Sequence, residues 1–64
     1  MSVSLLIAIE KYLRRSGTPP TRFGREAVGD PRFVLDLRNG REARAKTAAR
    51  VGAYLAQVQA EGGR

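Results

Sequence analysis

An all-α fold, a compact domain of four helices with a tight turn between the second and third, is what this 64-residue sequence predicts. Apolar residues recur at helical spacing in four separate stretches. The breaks between them fall where glycine and proline gather, at Thr18-Pro19-Pro20, at Gly29-Asp30-Pro31 and at Gly40. The last stretch is rich in alanine, a strong helix former.

The first helix runs from a cap at Ser2 or Ser4 to about Ser16. Leu6, Ile9 and Leu13 follow the i, i+3, i+7 rule, and Leu5 and Tyr12 widen the stripe. Glu10, Lys11, Arg14 and Arg15 lie mostly on the other side, and Gly17 ends the helix. Pro20 disfavours helix at Pro19, so the second helix starts at Pro20 or Thr21 and ends near Val28 or Gly29. Phe23 and Ala27 face inward, while Arg22, Arg25 and Glu26 are solvated. Gly24 costs helix propensity, about 1 kcal/mol relative to alanine, and makes sense where another helix backbone crosses closely.

The third helix is read over Asp30–Gly40, with Asp30 as N-cap, Pro31 at the first helical position and Gly40 as the left-handed stop. Val34 and Leu37 point inward. Arg32, Asp36 and Asn39 point away, with Leu35 beside them and Phe33 in the core or at its flank. After a basic connector, Arg41–Arg44, the fourth helix runs from about Ala45 towards Ala60 with Ala48, Val51, Leu55 and Val58 as its stripe and Tyr54 at the edge. One domain, residues 1–60, is followed by a frayed tail, 61–64. Its core is expected to comprise Leu6, Ile9, Leu13, Phe23, Ala27, Val34, Leu37, Ala48, Val51 and Leu55.

With no cysteine and no histidine, disulfides, the usual zinc sites and histidine or thiol catalysis are excluded. The six acids are spread along the chain beside arginines, and no glycine loop matches a nucleotide cradle; neither an enzyme nor a cofactor is expected. The apolar run Leu5–Ile9 is far shorter than the ~20 residues of a membrane span and lacks the charge order of a signal peptide, so a cytoplasmic protein without membrane contact is expected. Net charge is +6, which favours a polyanionic partner, nucleic acid first.

The run Phe23-Gly24, Gly29-Asp30, Val34, Leu37 and Gly40, followed by Val51 and Leu55, resembles the lambda-repressor/Cro-type (Xre-like) helix-turn-helix domain across roughly residues 3 to 58. The sequence departs from that pattern at Pro20, where the family often has glutamine, and at Val28-Gly29, since the turn glycine usually precedes an aliphatic residue. A fifth helix, used by many members in dimerisation, has no counterpart.

The resemblance implies that outward residues of the 30–40 helix face base edges in duplex DNA. Arg32 suits a two-bond contact to guanine and Asn39 a pair with adenine. Asp36 either accepts from cytosine or restrains Arg32 through an i, i+4 pair, and Leu35 can meet a thymine methyl. Thr21, Arg22 and Arg25 at the second helix, with Arg38, Arg41, Arg44, Lys46 and Thr47 around the end of the third, are candidate phosphate contacts. A dimeric repressor or autoregulator reading an inverted repeat follows, its subunits meeting at Tyr54 and Val58, or at Leu5 and Tyr12. A protein-interaction or antitoxin-like adaptor using the basic face, and sequence-independent nucleic-acid binding, are the competing expectations.

Overall fold

The computed structural model describes residues 2–61, with side chains described for residues 4–60. It is all-helical: α1 (Ser2–Ser16), α2 (Pro20–Val28), α3 (Phe33–Arg38) and α4 (Ala45–Glu61), with no strand among the described residues. α1 and α2 each pack against both α3 and α4. The expected tail lies outside the described residues beyond Glu61, as does a capping role for the Ser2 side chain. Ser4 is inside α1 and so does not cap it.

Local chemistry sets most of the boundaries. Gly17 takes φ +73° and its N–H closes α1 on the Leu13 carbonyl at 2.9 Å. Pro20 opens α2, where a missing N–H costs nothing. Gly29, also at φ +73°, ends it: Gly29 N–H donates to the Arg25 carbonyl and Asp30 N–H to the Gly24 carbonyl.

α3 corrects the sequence reading. It spans six residues, Phe33–Arg38, rather than 30–40. Asp30 is not its N-cap, because its oxygens close the turn instead. Asp30 Oδ1 accepts from Arg32 N–H at 3.0 Å, and its carbonyl accepts from Phe33 N–H at 3.1 Å. Pro31 and Arg32 therefore belong to that turn, and Arg32 is the N-cap without a side-chain bond. At the other end Asn39 is the C-cap, and Gly40 at φ +94° turns the chain back.

The core is Ile9, Leu13, Phe23, Ala27, Phe33, Val34, Leu37, Val51 and Leu55. Phe33 joins it, four residues before Leu37 and so on the same helix face. Leu6 and Ala48, expected within it, are half-buried. Phe23 lies at its centre, fully buried, with the Tyr12 ring 5.8 Å away and the Tyr54 ring edge-on at 5.4 Å. Gly24 is fixed by close approach: a Cβ there would collide with the Asp30 carbonyl oxygen and stand 3.2 Å from Phe33 Cβ. The backbone that comes close is that of the turn and not of a crossing helix, and a side-chain carbon of α3 supplies the second contact.

Candidate nucleic-acid interface

Because Phe33, Val34 and Leu37 are buried, the 3.6-residue repeat turns Leu35 and Asn39 outward, with Arg32 at the N-cap continuing their line. All three are exposed; Leu35, at 39%, is one of two large apolar side chains exposed among the described residues. Arg32 makes no ion pair among the described residues, leaving its guanidinium free. Three of the four residues predicted to read bases thus form one exposed stripe.

Asp36, the fourth, flanks that stripe and is already engaged. The pair with Arg32, one of the two alternatives for Asp36, does not form; Asp36 Oδ2 accepts from Arg41 Nη1 at 3.2 Å. The reason is geometric. Arg32 precedes the helix, whereas Gly40 folds the chain back so that Arg41 N–H bonds the Asp36 carbonyl at 3.0 Å. Arg41 and Asp36 share one open groove of about 330 Å³ with Arg44 and Thr47, over an apolar floor that includes Phe33 and Leu37. The structure therefore gathers Asp36, Arg41, Arg44 and Thr47 on this side of α3. Lys46 is exposed next to Thr47.

The opposite flank carries Arg38. Its Nε and Nη2 donate to the two oxygens of Glu10 at 2.7 and 2.8 Å, so a residue predicted to hold phosphate is bound within the chain. This hydrogen-bonded guanidinium, aided by its charge and that of Arg14, holds the Glu10 carboxyl below its ordinary 4.5. Arg38 shifts the other way, upward, for the same reason. Glu10, Arg14, Pro20 and Arg38 line a second open groove of about 410 Å³, so Arg38 borders the start of α2. Glu10 and Arg14 went unassigned at the sequence level. Their one signal there is Glu10 among cations on α1, which names no partner 28 residues away.

α2 contributes Thr21, Arg22 and Arg25, all exposed. Arg22 Nε donates to Glu26 at 3.1 Å, one turn along. Arg22, then the Tyr54 hydroxyl, lower the Glu26 pKa. The start of α2 has neither a side-chain cap nor an acidic residue, and the first turn of α4 likewise has no acid. Both positive dipole ends thus lack a compensating carboxylate in the first turn.

The residues expected between subunits, Tyr54, Val58, Leu5 and Tyr12, are all half-buried within the single chain. Tyr54 also donates its hydroxyl to Glu26 Oε1 at 3.0 Å, and burial followed by that carboxylate pushes the phenol above its ordinary 10.0. No helix among the described residues is long and apolar enough to cross a membrane, and no group of three or more acids there could hold a metal ion. Comparison with protein-family models, with curated proteins and with solved structures finds no match.

Proposed function

We propose that the chain is a sequence-specific duplex-DNA-binding regulator of transcription, acting as a homodimer, with α3 entering the major groove. One observation carries this reading: the exposed stripe of α3. Arg32, Leu35 and Asn39 offer a forked donor, a methyl-bearing surface and an amide side by side. These groups match the edges of guanine, thymine and adenine. Arg44 and Lys46, exposed and without ion pairs among the described residues, supply cations for the phosphates beside that groove. One short helix reads only a few base pairs, which is why two copies on an inverted repeat are needed for selectivity.

Selection of bound fragments from random duplex DNA tests the reading. An enriched inverted repeat is expected. Weak, uniform recovery would favour sequence-independent binding, and no recovery would favour a protein partner for the basic face.

A further inference from the structure

α3 has little of its own to hold it in one orientation. It is six residues long and lacks a side-chain cap at its start. A helix that short persists only through tertiary support. Its buried residues, Phe33, Val34 and Leu37, hold one face of it to the core.

Two ion pairs flank its exposed stripe, and they are not equivalent. Asp36–Arg41 joins residues five apart in one segment, tightening the helix end without tying it to another helix. Arg38–Glu10 spans 28 residues and uses two donors on two acceptors. Such planar pairing fixes direction as well as distance. Among the described residues it is the one ion pair that joins α3 to another helix.

Resting on the DNA reading above, we propose that Glu10 is a positioning residue for the base-reading surface: its two-bond bridge to Arg38 sets the roll of α3, and Arg38 is a strut rather than a phosphate ligand. The side chains of Arg38 and Glu10 remain 41% and 32% exposed, and an exposed pair contributes little to stability. Orientation is what it supplies. A recognition constellation has to be held within about 0.5 Å and 10–20°, and a rolled α3 would carry Arg32, Leu35 and Asn39 out of register together. The Arg38 charge is already met by Glu10, so phosphate binding would release few further counterions through it.

The test measures affinity for the selected duplex and a scrambled one, across a salt series, for the intact chain, Glu10→Gln, Arg38→Ala and the charge swap Glu10→Arg with Arg38→Glu. Thermal melting by circular dichroism establishes that each variant folds. Both single variants are expected to lose the preference for the selected duplex, by about two- to fivefold, with an unchanged salt slope. The swap is expected to restore it, although it places a carboxylate where a phosphate ligand would be cationic. If Arg38→Ala lowers the salt slope by about one and Glu10→Gln binds more tightly, Arg38 holds a phosphate and the proposal is overturned. Should the swap not fold, the two single variants decide between those outcomes. A chain that selects a sequence but whose preference ignores both single variants sinks the positioning role alone. An intact chain that selects no sequence sinks the DNA reading and this inference with it.

Discussion

The six residues of α3 and the seventeen of α4 both press an apolar stripe onto the same core, Phe33, Val34 and Leu37 from one, Val51 and Leu55 from the other. α4 holds six alanines and exceeds the ~12–15 residues at which isolated helices become marginal, so local propensity does much to form it. α3 is below that length and rests on its buried stripe, the Asp30 turn and the bridge to Glu10. The element proposed to read DNA is therefore the one whose geometry depends most on the rest of the chain.

The largest expected effect comes from removing what both regions share. Phe23→Ala deletes a fully buried ring and leaves Tyr12 and Tyr54 without their partner. It should cost about 3–5 kcal/mol in urea unfolding, enough to abolish the fold of so small a domain. A loss under about 1 kcal/mol would mean that the core is not centred on this ring.

Two identical substitutions should then differ in sign. Gly24→Ala puts a methyl against the Asp30 carbonyl and Phe33, so the turn into α3 has to shift. A destabilisation of about 1–3 kcal/mol is expected even after the gain in helix propensity. Gly52→Ala, in α4, meets open space, its glycine being exposed with no positive φ. It should stabilise by about 0.4–1 kcal/mol. Equal melting shifts for the two would contradict the close approach at Gly24.

A smaller effect lies in pH. Glu10 and Glu26 both have pKa values below the ordinary 4.5 in the folded chain, the first through Arg38, the second through Arg22 and Tyr54. A lowered carboxylate pKa gives stability that is whole above 4.5 and is lost as pH falls below it towards the folded value. Both side chains are solvated enough that the loss is modest. The double variant Glu10→Gln, Glu26→Gln should show a shallower acid limb in unfolding measured between about pH 5 and pH 2. An acid limb as steep as that of the intact chain would place the responsible carboxylates elsewhere.

Much of this fold was legible in the residues. The three glycine stops, the proline start of α2 and the close approach at Gly24 all follow from backbone rules that act within a few positions. The start of α3 was not, because Asp30 can cap a helix or close a turn and the sequence does not say which. The Asp36 partner depended on the reversal at Gly40, which brings Arg41 back over the helix end. Glu10–Arg38 and Tyr54–Glu26 each join residues 28 apart, and no local rule pairs them. Tyr54 illustrates the consequence: its leftover apolar character at the helix edge suggested a subunit contact, whereas its ring and hydroxyl are engaged within the chain itself. A Tyr54 substitution therefore tests stability before it tests dimerisation.

The division between reading and positioning is tested most directly by Arg32→Ala beside Lys46→Ala, with affinities measured on the selected duplex and on its single-base-pair variants. Arg32→Ala should lose about 1–3 kcal/mol and flatten the preference at one base pair. Lys46→Ala should weaken every duplex about equally and reduce the salt slope by about one. Two variants that behave alike, each uniform across sequences, would contradict the claim that the exposed stripe of α3 reads DNA.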